Sequence, residues 1–164
     1  MKTLILVRHA KSDRSDSSMP DIDRPLNARG HRDAPMMGAV LAASYRSGIH
    51  CVVTSPALRA ATTCGYFLRE LGNQVECFTE PRIYEAPVSQ LVEVVQGLDD
   101  RFTHALLFGH NPGFSMLVEY LTGEWVDMPT CGIAVMESAV PHWAAMSRGV
   151  ARLASFDYPK RYVS

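Results

Sequence analysis

Nowhere in the 164 residues do about 20 apolar residues run together, so the sequence holds no segment with the length and apolarity of a membrane-crossing helix. A signal-peptide core is missing too. The N-terminal run Leu4 to Val7 is cut by Arg8, His9 and Lys11, short of the about 7 to 15 apolar residues such a core needs, and a cytoplasmic location is expected. Strong charge of one sign is also lacking. Sixteen Lys and Arg against 17 Asp and Glu give a net charge of -1, which argues against nucleic acid as a partner. The balance is local rather than uniform. Residues 1–32 hold seven Lys and Arg against four Asp, whereas the remainder holds nine against thirteen acidic residues, an asymmetry that suits a small anionic ligand better than a polyanion.

Several chemical signatures are absent. No two of Cys51, Cys64, Cys77 and Cys131 form a C-x-x-C pair, so metal and redox pairs are not indicated and buried thiols are expected. None of these cysteines has Arg six positions later, which excludes the cysteine phosphatases. There is no G-x-x-x-x-G-K-[ST], H-E-x-x-H or G-x-S-x-G motif to support nucleotide hydrolysis, zinc proteolysis or serine hydrolysis. Asp21-Ile-Asp23 imitates an aspartyl-nucleophile motif, yet it follows Ser-Ser-Met-Pro instead of an apolar strand. Internal repeats and Gly/Ser linkers are missing as well, and one domain over residues 1–164 is expected.

A chain of this size buries about 70% of its unfolded surface. Apolar, β-branched runs at Thr3–Val7, Cys51–Thr54, Val75–Phe78, Ala105–Phe108 and Ile133–Met136 read as strands, with a weaker one over Val150–Phe156. Helical patterns fall between them. Ala28 to Tyr45 is one, with Met37, Val40 and Leu41 inward and a kink or late start expected at Pro35. Ser55 as N-cap and Pro56 at the first helical position open a second, with Ala61, Cys64, Leu68 and Leu71 on its apolar face and Gly72 as its stop. A third runs from Ser89 to Gln96. Asn111 and Pro112 open a fourth, with Phe114, Leu117, Val118 and Leu121 on one face, ending at Gly123. Strands alternating with helices imply an α/β fold, a three-layer αβα sandwich around a mostly parallel sheet. The one long irregular stretch, Lys11–Asn27, is polar, and loops of that length inside compact domains are usually functional or mobile.

Three strand ends carry anion-binding residue types: Arg8-His9, Ser55-Pro-Ala-Leu-Arg59 and Gly109-His110-Asn111-Pro112-Gly113. In open α/β sheets ligands bind at the carboxyl ends of the strands, so these segments can converge. Two of them open helices, whose free N–H groups favour phosphate or carboxylate. Each motif alone also reads blandly, as a surface pair, a solvated helix residue or a capping turn. Their joint occurrence at strand ends is the signal.

The three motifs, in this order and spacing, resemble the histidine phosphatase superfamily and within it the SixA-type phosphohistidine phosphatases. Asp23-Arg-Pro-Leu-Asn-x-x-Gly30 and Tyr84-Glu85 extend the resemblance over essentially the whole chain. It implies a phosphoglycerate mutase-like fold and a phosphatase that works without cofactor or metal, through a covalent phosphohistidine on His9. Arg8 and Arg59 would hold phosphate oxygens and disfavour protonation of His9, and His110 would donate to the oxygens with help from N–H groups near Asn111. Glu85 would protonate an alcohol leaving group, its alternative being a solvated loop carboxylate. Lys11 and Ser12 would edge the pocket, and Asn27 would stand where relatives often carry Thr or Ser.

The implied substrate is a phosphorylated protein or a small phosphorylated molecule, with neither nucleic acid nor membrane as partner and no indication of oligomeric state. Mutase activity is not expected, because only Lys11–Asn27 is available as a lid. The rival from another class is a non-catalytic module that binds phosphorylated partners through the same pocket. His31, His50, His104 and His142 read as structural or solvent-facing, and Trp125 and Trp143 as packing residues.

Overall fold

The structure, a computed structural model, describes residues 1–72 and 75–163. Its elements are β1 (Lys2–Arg8), α1 (Ala28–Tyr45), β2 (Cys51–Thr54), α2 (Leu58–Leu71), β3 (Glu76–Thr79), α3 (Val88–Gln96), β4 (His104–Gly109), α4 (Gly113–Thr122), β5 (Ile133–Ser138) and β6 (Ala151–Asp157). The strands form one sheet in the order β3-β2-β4-β1-β5-β6. The ladders β2/β3, β2/β4 and β1/β4 are parallel, while β5 runs antiparallel to both β1 and β6. The expected mostly parallel α/β architecture is therefore the one observed.

Period-two alternation divides the central strands between two cores. Leu4, Leu6, Ala105 and Leu107 point to the face covered by α3 and α4, where they meet Leu91, Val95, Phe114 and Leu117. Ile5, Val7, Leu106 and Phe108 point to the opposite face and meet Met37 and Leu41 of α1 and Cys64, Phe67 and Leu71 of α2. Continuous rather than alternating hydrophobicity in β1 and β4 follows from burial on both faces.

Local chemistry accounts for the departures from the sequence reading. α1 keeps its expected bounds and continues through Pro35. His31, whose carbonyl would have taken the missing Pro35 N–H, is exposed, so water can serve it. Met37 and Leu41 are buried as expected, but Val40 is only half-buried. α2 starts at Leu58 because the Ser55 N–H still continues the sheet ladder, bonding Phe108 O at 3.0 Å. Its apolar face is Ala60, Cys64, Phe67 and Leu71, which leaves Ala61 exposed and Leu68 half-buried. In α4 the Asn111 side chain still does cap-like work, accepting from Ser115 N (3.2 Å) and Ser115 Oγ (3.0 Å), although the helix begins at Gly113.

β3 is a short edge strand with every residue exposed, so Cys77, expected to be buried, faces solvent while the other three cysteines are buried. Trp125 is likewise exposed, and only Trp143 packs, its Nε1 donating to Phe102 O at 2.9 Å. No helix among the described residues is long and apolar enough to cross a membrane.

Candidate active site

The sheet ladders themselves bring the three motifs together. Arg8 pairs with Gly109 and Thr54 with Phe108, and His9 N donates to Gly109 O at 3.0 Å just beyond the strands. The first, second and third motifs therefore leave the sheet side by side at its carboxyl edge. They line a cleft of about 650 Å³ with Arg8, His9, Arg59, His110 and Asn111, joined by Arg14, Asp21, Arg24 and Glu85. One wall is apolar, built from Ile83, Ala86, Pro87, Val88, Leu91 and Met116.

His9 is buried, and its Nδ1 lies 2.7 Å from Ala10 O. A carbonyl only accepts, so Nδ1 carries the proton and the Nε2 lone pair is left free. The segment after His9 is held by α2, where the Thr63 hydroxyl accepts from Ala10 N (3.0 Å) and donates to Arg59 O (2.8 Å). His110 lies beside His9, ring centroids 5.2 Å apart, and its Nε2 is 2.8 Å from Ser55 Oγ. Ser55 Oγ also accepts from Ala57 N at 3.2 Å, and where its own proton goes to His110 Nε2, His110 Nδ1 carries the ring proton and can donate.

Burial is the main reason both histidines are neutral. It depresses His9 to about 3, with smaller contributions from His110, Arg59 and Arg8, and it depresses His110 to about 4, with Arg59 next. The arginines act as expected on His9, but as secondary causes. An unfolded histidine takes up a proton near pH 6.5, whereas these folded ones refuse it until about pH 4 or below, so stability should fall as pH drops from 6.5. Between pH 6.5 and 5 the expected loss is up to about 2 kcal/mol for each histidine. Urea titrations at the two pH values, repeated on His110→Gln, check this; the variant should lose less on acidification.

Arg8 reaches across to Met128 O through Nη1 (2.9 Å), a carbonyl that also accepts from Asn111 Nδ2 (3.0 Å). Three buried side-chain nitrogens among the described residues lack a partner: Arg8 Nε, Arg59 Nε and His110 Nδ1. All three belong to residues lining the cleft. Glu85, which is exposed, also lines the cleft, on a backbone with φ 53°, a conformation that costs a non-glycine residue energy and that recurs at functional sites.

Lys11, Ser12 and Asn27 do not line the cleft. Lys11 is exposed and offers its carbonyl to Asn27 N (3.0 Å), Ser12 Oγ accepts from Arg24 Nη1 (2.6 Å), and Asn27 Oδ1 caps α1 by accepting from Gly30 N (2.9 Å). Their polar groups are used in shaping the loop. The residues the sequence reading did not assign to the site are Arg14, Asp21, Arg24 and Tyr84. Arg24 is buried in the loop and Tyr84 packs edge-on against His110 at 5.5 Å. In the sequence Asp21 stands out only within the aspartyl-nucleophile imitation, and Arg24 only within the family-like segment of residues 23–30. Among the described residues no cluster of three or more His, Cys, Asp or Glu is arranged to hold a metal ion.

Residues 4–94 match the model of the histidine phosphatase superfamily (branch 1). The chain belongs to that superfamily. A relative from Mycobacterium tuberculosis, an uncharacterized protein, is 33% identical over 165 residues, covering 94% of this chain and all of the relative. Among solved structures the fold is similar to one described as phosphohistidine phosphatase SixA from Agrobacterium tumefaciens, with TM-score 0.81 and 24% identity over 96% of this chain and 98% of the other. It is also similar to the protein histidine phosphatase SixA complexed with tungstate, with TM-score 0.77 and 23% identity over 97% and 98% of the two chains. At these identities the structural likeness establishes the fold of this superfamily member.

Proposed function

We propose that this histidine phosphatase superfamily member hydrolyses a phosphomonoester or a protein phosphohistidine through a phosphohistidine formed on His9 Nε2. The observation that carries the reading is the tautomer of His9. With Nδ1–H given to Ala10 O, the only unshared ring lone pair sits on Nε2, in a cleft lined by arginines. Nε2 attacks phosphorus, the bond to the leaving group breaks, and water then displaces the histidine to release inorganic phosphate, so one difficult displacement becomes two. The unpartnered Nε of Arg8 and of Arg59 and Nδ1 of His110 are suited to the oxygens on which charge develops. A tetrahedral oxyanion such as the tungstate of the similar SixA structure has the shape this donor set fits.

Glu85, which lines the same cleft, is the reading's general acid, needed for an alkoxide more than for an imidazole leaving group. A cleft open to solvent, with an apolar wall beside the basic floor, admits phosphate carried on a protein side chain as readily as a small ester. We favour the protein. The test is release of inorganic phosphate, with EDTA present, from an alkyl phosphate and from a phosphohistidine peptide. Glu85→Gln should lower turnover of the alkyl ester about 100-fold and leave phosphohistidine cleavage within a few-fold. Equal loss on both substrates would count against Glu85 as proton donor. Absence of turnover on every substrate would favour the binding-module alternative.

A further inference from the structure

The loop between β1 and α1 sends one carboxylate into the cleft, and nothing in the mechanism above uses it. Asp21 Oδ2 accepts from Arg59 Nη2 at 3.0 Å and from the Tyr84 hydroxyl at 2.5 Å, while Oδ1 accepts from Arg24 Nε at 2.9 Å. Arg59 Nη1 bonds the Asp21 main-chain carbonyl at 2.7 Å. Both terminal nitrogens of Arg59, the planar fork that matches a phosphate edge, are thus taken by one residue. The same carboxylate remains half-exposed, with a side-chain exposure of 47%, and its charge is secure because Tyr84, Arg24 and Arg59 hold its pKa well below the usual range. Asp21 lies in a single 3-10 turn, Asp21–Asp23, outside the sheet and the four longer helices.

We propose, building on the phosphatase reading, that Asp21 is a tethered competitor for Arg59: the phosphoryl group displaces its carboxylate on entry, and the carboxylate reclaims the guanidinium as inorganic phosphate leaves. Because the competitor is part of the chain, its local concentration is high and constant, and every incoming anion meets the same penalty. A substrate whose carrier gains contacts on the apolar wall offsets that penalty. Free phosphate has no carrier and does not, so the device weakens product relative to what the bare arginines would hold. Four cleft arginines against Asp21 and Glu85 leave a formal +2, enough to attract a phosphate dianion while the carboxylate is still in place.

Asp21→Asn removes the charge at nearly constant volume: its single amide oxygen can still accept on one side of the group, its NH2 can accept from neither arginine, and the bond from Arg59 to the main-chain carbonyl persists. Inhibition by inorganic phosphate and steady-state kinetics on a phosphohistidine peptide would be measured for wild type and variant, with circular dichroism melting to confirm equal folding. The expected result is a Ki for phosphate lowered about tenfold together with a lower KM, and no gain in kcat. Asp21→Ala should move both constants in the same direction. Unchanged or higher Ki and KM would overturn the proposal, because Asp21 would then be holding Arg59 in position for substrate. Wild type that turns over no substrate and binds no phosphate by calorimetry would instead remove the phosphatase reading on which the proposal rests.

Discussion

His9→Ala is expected to reduce phosphate release by about 10⁴-fold or more, the scale seen when a covalent nucleophile is removed from an otherwise intact site. The arginines that would hold the phosphoryl group are anchored independently of His9: Arg8 on Met128 O, and Arg59 on Asp21 and the first turn of α2. Affinity for inorganic phosphate should therefore survive in the variant, within a few-fold of wild type by calorimetry. Removing a buried, neutral imidazole also removes one of the groups that resist protonation below pH 6.5, so the variant should be less acid-sensitive in stability. Rapid-quench experiments with ³²P-labelled substrate should show an acid-labile, base-stable phosphoprotein in wild type and none in His9→Ala. Retained turnover in a folded His9→Ala protein would sink the covalent mechanism.

The second large effect is on stability. A Cβ at Gly30 would lie 2.2 Å from Lys11 O and 3.1 Å from Leu26 Cβ, so Gly30→Ala forces apart two main chains and cannot be relieved by a side-chain rotation. Overpacking against backbone is expected to cost about 3 kcal/mol. Lys11 O is already committed to Asn27 N, and Lys11 stands two residues after His9, so the displacement should also lower kcat. Gly65, inside α2, is the control: nothing lies within 4 Å of its added Cβ, and Gly65→Ala should stabilise by about 0.5 to 1 kcal/mol. Urea unfolding of the two variants separates close approach from helix propensity. Equal stability for both would mean that the loop does not pack on α1 as described.

These two sites show where the sequence was legible and where it was not. Arg8, His9, Arg59, His110 and Asn111 could be placed in one cleft beforehand because parallel strands end at a common edge, and strand endings are visible as the point where an apolar run meets Arg, Ser or Gly-His. Burial on both faces made β1 and β4 unmistakable, and α1 kept its bounds from Ala28 to Tyr45. The edge strand β3 was misplaced by one residue at each end, since an exposed strand has no buried face to fix its pattern. Ser12 reads as a ligand because it follows the nucleophile, and Asn27 because it stands where relatives often carry Thr or Ser; that they bond Arg24 and the first turn of α1 depends on how the loop folds back. Asp21 meets Arg59 and Tyr84 at separations of 38 and 63 residues, and no spacing rule reaches that far.

The partner of His9 Nδ1 is a main-chain carbonyl, a neutral dipole rather than the anion that backs the imidazole in many hydrolases. A carboxylate there would raise the basicity of the ring and strengthen its hold on whatever it bonds. Ala10 O fixes the ring's orientation and raises its basicity less than burial lowers it, so a phosphoryl group on Nε2 would rest on a weakly basic nitrogen and keep a high transfer potential. The choice of a carbonyl favours a short-lived way station over a stable resting state.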